Sequence, residues 1–344
     1  MTYTITLAKS QRQFTVESNE IILQAAQKQN IALPYGCRNG TCGACKALVV
    51  SGKINQHSHS ASALSNDEKE KGYALLCSAQ ACSNITLNVH EIANLAGQTV
   101  RKMLSKIKHF EKLSDDVMIV DLQLQAGQTL DFIAGQYIEL LLPNHIRRAY
   151  SIASSVSQNN QLQLHIRHMP GGAFTDRLFN TMKIGDIVRF EGPLGSFFLR
   201  EDSLKPIIFL ASGTGFAPIK AMLETIFEKG IKRPIYFYWG GRSTKDLYQI
   251  NVAQNWAMQY PFFKFIPVLS ELLSHDTWSG RRGFVHRTVI EDFPDLSDFE
   301  VYACGAPVMV EAALRDFTKN HALPLEAFFA DAFTSQADLA NPID

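Results

Sequence analysis

The residues best suited to chemistry in this sequence are thiols. Cys37, Cys42 and Cys45 stand at the spacing C-x4-C-x2-C within the stretch from Pro34 to Cys45, and Cys77 follows far downstream. Four thiolates in that pattern suit a 2Fe–2S cluster, with three ligands from one tight loop and a fourth from elsewhere. Gly36, Gly40 and Gly43 let such a loop curl around its contents, because glycine accepts positive φ and brings no Cβ. They also leave backbone N–H groups to point at the sulfurs. A structural zinc site is the competing ligand reading. It usually draws on two tight cysteine pairs, and here only one tight pair is present. Of the two cysteines left, Cys82 reads as a small buried side chain and Cys304 belongs to a later motif.

Three further stretches carry candidate binding chemistry. Arg148-Ala149-Tyr150-Ser151 precedes Pro170-Gly171-Gly172-Ala173-Phe174-Thr175. Gly213-Thr214-Gly215-Phe216-Ala217-Pro218 lies between a buried apolar strand over 207–211 and a helix over 219–228. A glycine turn between strand and helix is a phosphate cradle, and Pro218 suits a first helical position. Cys304-Gly305-Ala306-Pro307 leaves the end of another strand, at the sheet edge where open α/β folds bind ligands.

The elements that must position these residues fall into three blocks. Residues 2–8 and 12–16 alternate in polarity as a hairpin. Asn19-Glu20 can cap a helix over 21–26, which Pro34 keeps from continuing, and Ser65 to Glu68 fits a capping box. From 102 to 200 short apolar runs separated by turns suggest an antiparallel barrel, with Phe197 and Phe198 as closing core residues. From 203 to 344 strands alternate with helices, which implies a parallel sheet. The domain division is thus 1–92, a linker at 93–101, 102–200 and 203–344. A chain of 344 residues has room for three such domains. Lys+Arg and Asp+Glu are both 33, and a neutral chain lacks the basic surface of a general nucleic-acid binder. The first residues show no signal-peptide pattern, and no apolar stretch reaches membrane-spanning length. A cytoplasmic setting, in which thiols stay reduced, is the expectation.

The first block resembles plant-type ferredoxins in the β-grasp fold. The Arg148–Ser151 and Pro170–Thr175 motifs, at their spacing, resemble the flavin site of the ferredoxin–NADP reductase superfamily, as do Gly213–Pro218 and Cys304–Pro307 its nicotinamide site. The resemblance implies that Arg148 binds a flavin phosphate, Tyr150 lies against the isoalloxazine, and Ser151 sits near its reactive nitrogen. It implies that Gly171, Gly172 and Thr175 receive the pyrophosphate of FAD. It further implies that Gly213, Thr214, Gly215 and Pro218 hold the dinucleotide, with Cys304 and Gly305 beside the nicotinamide, Cys304 as a steric guide. These roles suit the residues: arginine grips phosphate with a planar fork, and an aromatic ring covers a flat cofactor at little entropic cost. Arg147 leaves open which of two neighbouring arginines meets the phosphate. Glu271 stands where NADP-type relatives tend to carry arginine, which favours NADH, whereas Arg242 could bind a phosphate.

The domain order resembles single-chain NADH reductases that serve oxygenases and a deoxysugar dehydrase. The strings Leu164–Gly172, Tyr238–Arg242 and Phe328–Thr334 look closest to the CDP-6-deoxy-Δ3,4-glucoseen reductases. What this implies is electron transfer from NADH through FAD and a 2Fe–2S cluster to a partner protein. That partner is either a dehydrase with a pyridoxamine-type cofactor or an oxygenase component. A free-flavin reductase and a redox sensor are the other readings, and the second leaves two nucleotide domains without purpose.

Overall fold

Alternation at the N-terminus does what its period predicts. Strands β1 (Thr2–Leu7) and β2 (Gln13–Glu17) pair antiparallel, Ile5 opposite Phe14, and bury Ile5, Leu7, Phe14 and Val16. In this computed structural model, which describes residues 1–95, 97–272, 277–334 and 342–343, helix α1 (Ile22–Lys28) adds Ile22, Leu23, Ala25 and Ala26 to the same core. Its N-cap is Ile21, without a side-chain bond. Asn19 and Glu20 are engaged elsewhere: the Asn19 carbonyl accepts from Gln80, and Glu20 pairs with Lys28 at 2.6 Å. Strand β3 (Lys46–Ser51), helix α2 (Asn66–Glu70), β4 (Tyr73–Leu75) and β5 (Ile85–Asn88) complete a mixed sheet of order β2-β1-β5-β3-β4, with β5 parallel to β1. This is the expected β-grasp. The capping box before α2 forms in both directions, Glu68 N–H to Ser65 Oγ at 3.3 Å and Ser65 N–H to Glu68 Oε2 at 2.9 Å.

Contacts divide the chain into two units, Met1–Thr99 with Ala332–Asp344, and Val100–Asp331. The described end of the chain therefore groups with the first unit, where Thr41 Oγ1 donates to Thr334 Oγ1 at 3.0 Å.

The second unit opens with β6 (Arg101–Lys112), β7 (Val117–Leu124), β8 (Tyr137–Leu141), β9 (Arg147–Ser151), β10 (Gln161–Arg167), helix α3 (Thr175–Asn180) and β11 (Ile187–Leu194). The strands form an antiparallel sheet of order β9-β8-β11-β6-β7-β10, and a bridge between Ile152 and Leu164 joins its two ends into a barrel. Phe197 and Phe198 are buried as expected, but Phe197 lies 6.3 Å from the ring of Tyr302 and so faces the following sheet.

That sheet comprises β12 (Ile207–Ser212), β13 (Ile235–Gly241), β14 (Phe263–Leu269), β15 (Arg281–Arg282), β16 (Glu300–Gly305) and β17 (Phe328–Ala332), in the order β15-β14-β13-β12-β16-β17. Helices α4 (Phe216–Lys229), α5 (Ile250–Gln259), α6 (Val285–Asp292) and α7 (Pro307–Asn320) connect them. β12 is parallel to both β13 and β16. Residues 207–211 are wholly buried, as an apolar strand covered on both faces should be. The chain moves outward from β12 through β13 and β14, then returns to the other side of β12 with β16. The carboxyl ends of β12 and β16 therefore flank a topological switch point, the place where such sheets bind ligands.

Candidate functional site

The cysteine loop turns back on itself with positive φ at Arg38 (62°), Gly40 (81°) and Gly43 (75°). A Cβ on Gly40 would lie 3.1 Å from the Ser58 carbonyl oxygen and 3.2 Å from His59 Cβ, so conformation and packing both demand glycine there. The four thiols meet as two hydrogen-bonded pairs, Cys37 with Cys42 and Cys45 with Cys77, and charge on one pair is felt by the other, Cys37 by Cys77 and Cys42 by Cys45. In each pair one sulfur takes thiolate character from its partner's S–H. Cys42 draws the Cys37 thiol down to about 5, and Cys45 draws Cys77 down. Cys42 and Cys45, which keep the proton, are pushed up by the bond to their partner thiolate and then by desolvation.

Backbone N–H groups converge on the sulfurs. Asn39 and Thr41 point at Cys37, Ala44 at Cys42 and Gly40 at Cys77, and the Cys37 N–H lies 3.3 Å from Cys42 Sγ. Two thiol pairs ringed by N–H donors fit a two-iron cluster. Cys82 is exposed, contrary to expectation. Ala79 and Ala81 face inward, and alternation turns the next side chain out.

On β9 the two arginines part. Arg148 and Tyr150 share one face, and Arg147 and Ala149 the other. Arg147 is held by Glu139 at 2.5 Å and by Glu191. Arg148 has only a local bond among the described residues, to the Arg147 carbonyl at 2.8 Å, and is the guanidinium left for an anion. The Tyr150 ring lies 5.7 Å from Phe174, and burial pushes its phenol up, so it stays neutral. Ser151 is buried at the strand end, opposite Tyr137.

The glycine turn distributes its donors in a way the motif does not reveal. The Gly171 N–H goes to Asp176 Oδ2 at 3.0 Å and the Gly172 N–H to the Met169 carbonyl at 2.8 Å. The Thr175 hydroxyl donates to the same carbonyl at 2.9 Å and accepts the Met169 N–H at 3.2 Å. Gly171, Gly172 and Thr175 thus shape the turn. The N–H groups of Ala173, Phe174 and Thr175, where α3 begins, have no intramolecular partner among the described residues. They are the donors available to a pyrophosphate.

At the switch point Gly213–Gly215 winds as a tight helical turn that continues into α4, so the helix starts at Phe216 and not at Ile219. Pro218 is its third residue. It breaks nothing there, because the first-turn N–H groups lack helical acceptors. A Cβ on Gly215 would lie 2.1 Å from the Cys304 carbonyl oxygen, so only glycine lets the turn touch the end of β16. Ser212 Oγ accepts the Ala306 N–H at 2.8 Å, and Gly305 takes φ 131°. Thr214 is half-buried at the middle of the turn. Cys304 is fully buried, and burial, reinforced by Asp331, pushes its thiol well up. A neutral thiol suits a steric wall and not a nucleophile. Arg242 and Glu271 are exposed on adjacent strand ends, linked by the Glu271 N–H to the Arg242 carbonyl at 2.9 Å.

Asp246 and Tyr248 gained no role from the sequence, although both join the barrel to this site. Asp246 meets Arg167, far away in the chain, at 3.0 Å. No local signal marks a partnership at that separation.

Comparison with known proteins agrees with this layout. The family model for 2Fe-2S iron-sulfur cluster binding domains matches residues 5–82, that for oxidoreductase FAD-binding domains 104–199, and that for oxidoreductase NAD-binding domains 209–315. The CDP-6-deoxy-L-threo-D-glycero-4-hexulose-3-dehydrase reductase of Yersinia pestis is 40% identical over 93% of this chain and 95% of its own length. The reductase component of phenol 2-monooxygenase from Pseudomonas sp. (strain CF600) is 30% identical over 97% and 96%. Among solved structures, a cytochrome P450 reductase from Amycolatopsis superposes with a TM-score of 0.77 at 30% identity, covering 97% of this chain and 99% of that one.

Proposed function

Because this chain belongs to the ferredoxin–NADP reductase superfamily, in the group with a 2Fe–2S domain ahead of its flavin and nicotinamide domains, we propose that its electrons serve a deoxysugar dehydrase. The protein is an NADH-dependent iron–sulfur flavoprotein reductase that passes electrons to a partner enzyme. A bound FAD would supply the exchange between an electron pair and single electrons that links a nicotinamide to a 2Fe–2S cluster. The chain's own part is to bind and orient. Arg148 and the free N–H groups of Ala173–Thr175 would hold the flavin's phosphates, and Tyr150 would cover its ring. Gly213–Gly215 would admit the dinucleotide close to the backbone, Cys304 would bound the nicotinamide pocket, and Cys37, Cys42, Cys45 and Cys77 would ligate the irons. No acid–base pair is needed for hydride transfer itself.

The observation that carries the choice of partner is the greater identity to the hexulose dehydrase reductase than to the oxygenase reductases. A dehydrase acting on a CDP-linked 4-keto-6-deoxyhexose with a pyridoxamine-type cofactor leaves an adduct that must be reduced, and single-electron delivery suits it. Among the described residues no helix is long and apolar enough to cross a membrane. The test is reconstitution of this protein with NADH, such a dehydrase and its CDP-sugar. Formation of a 3-deoxysugar supports the proposal. No product, alongside competent reduction of an oxygenase component from the same cell, refutes the dehydrase and leaves the reductase intact.

A further inference from the structure

A chain of polar groups centred on the buried His165 joins the flavin barrel to the nicotinamide sheet. Gln163 on β10 donates from its amide nitrogen to Asp121 Oδ1 at 3.0 Å, which turns its Oε1 toward His165. That oxygen can only accept, so His165 Nε2, 3.2 Å away, carries the proton. Nδ1 is then the acceptor, and the Tyr248 hydroxyl donates to it at 2.8 Å. Burial, with Lys220 nearby, holds the imidazole well below its ordinary value and keeps it neutral. Tyr248 stands edge-on to Trp239 with ring centroids 5.4 Å apart, and Trp239 Nε1 donates to the Gly213 carbonyl at 3.0 Å.

A second connection runs beside the first. Arg167, two positions further along β10, donates from both terminal nitrogens to Asp246 Oδ1 at 3.0 Å. The other oxygen of Asp246 accepts the N–H groups of Arg242 and Ser243 at 3.0 and 3.1 Å. Arg167 also lies against the dinucleotide turn: a Cβ on Gly213 would be 3.2 Å from its Nη2. Both connections start on one barrel strand. They end on the two segments assigned to the nucleotide.

We infer that His165–Tyr248 and Arg167–Asp246 form a two-rung latch that sets the nucleotide turn against the flavin barrel, with Tyr248 and Asp246 as positioning residues for hydride transfer. The inference rests on the assignment of Gly213–Gly215 to NADH. Hydride transfer is sensitive to position, since a misplacement of about 1 Å costs on the order of a hundredfold in rate. A latch that holds two binding surfaces in register should therefore act on the rate at saturation and spare affinity.

Tyr248→Phe removes one hydroxyl and keeps the ring. In stopped-flow, the limiting rate of flavin reduction at saturating NADH should fall about tenfold or more. The dissociation constant for NAD+ should change by less than about threefold. Asp246→Asn should lower the same rate and, in the NADH-free holoprotein, speed hydrogen exchange at the Arg242 and Ser243 amides. The Tyr248→Phe, His165→Gln double variant should be little worse than Tyr248→Phe alone, because the pair acts as a unit. Unchanged limiting rates in both single variants, or weakened affinity with an unchanged limiting rate, would overturn the latch. Gly215→Ala tests the underlying assignment separately: it should abolish NADH binding, and binding that persists refutes the nucleotide site whatever the latch variants do.

Discussion

Arg147 and Arg148 differ in task because a strand turns consecutive side chains to opposite faces. Arg148→Ala should leave folding unaffected and weaken flavin retention, read as the FAD-to-protein ratio after gel filtration. Arg147→Ala leaves Glu139 and Glu191 without their shared cation. It should cost about 1 kcal/mol in urea unfolding, since this pair of bridges is partly solvated, and spare the flavin. Equal flavin loss in both variants would mean that the division of labour is wrong. The thiols allow a similar contrast. Cys42→Ser should abolish iron–sulfur absorbance while NADH still reduces the flavin, and Cys82→Ser, on an exposed position, should change neither. Loss of the cluster in Cys82→Ser sinks the ligand set.

Helix α2 shows how an element can depend on its ends. It has no buried residue, so its place before β4, the strand that leads to Cys77, rests on the Ser65–Glu68 box and the Lys46–Glu68 bridge at 2.6 Å. Ser65→Ala should therefore cost about 1 kcal/mol. Burial pushes the Glu68 carboxyl up, but the hydrogen bonds from Lys46 and Ser65 outweigh it and hold the group below its ordinary range. A lowered carboxyl adds stability that is present above the unfolded value of about 4.3 and is lost as pH falls through the folded one. Urea unfolding of wild type and Glu68→Gln should therefore differ at pH 7, and the gap should close as pH falls below the unfolded value and through the lower folded one. A gap that stays constant with pH would show that the charge of Glu68 contributes nothing.

At the scale of the whole molecule electrons run against the order of the chain, from a two-electron donor bound by the last domain, through the flavin domain, to a one-electron acceptor in the first. Entry to that sequence is set by the donor. Arg242 and Glu271 share the sheet edge where the adenosine ribose should lie, and a carboxylate there favours a 2′-hydroxyl over a 2′-phosphate. NADH should exceed NADPH in kcat/KM by about tenfold or more, a difference of about 1.4 kcal/mol. Glu271→Arg should narrow the gap. Comparable values for the two nucleotides in the wild type would remove the preference.

Much of this was legible from contiguous residues. The C-x4-C-x2-C loop, the strand–glycine–helix passage at Gly213–Gly215 and the change from short strands to strand–helix alternation are local patterns, and local backbone chemistry shapes them. Such patterns carry the ligand candidates, the barrel and the parallel sheet in the residues themselves. Other features depend on parity or distance. Strand register, not the motif, put Arg148 and Tyr150 on one face and sent Arg147 to Glu139 and Glu191. Turn geometry moved the free N–H groups from the two glycines to Ala173–Thr175. Alternation exposed Cys82, and the first helix begins at Ile22, with Ile21 and not Asn19 or Glu20 at its N-cap. The pairing of Cys45 with Cys77, and the meeting of Arg167 with Asp246 and His165 with Tyr248, join residues that no local pattern links. The sequence by itself determined which chemistries the chain carries and in what order. Tertiary structure decided which side chains face them, because facing is set by register and by contacts between distant segments.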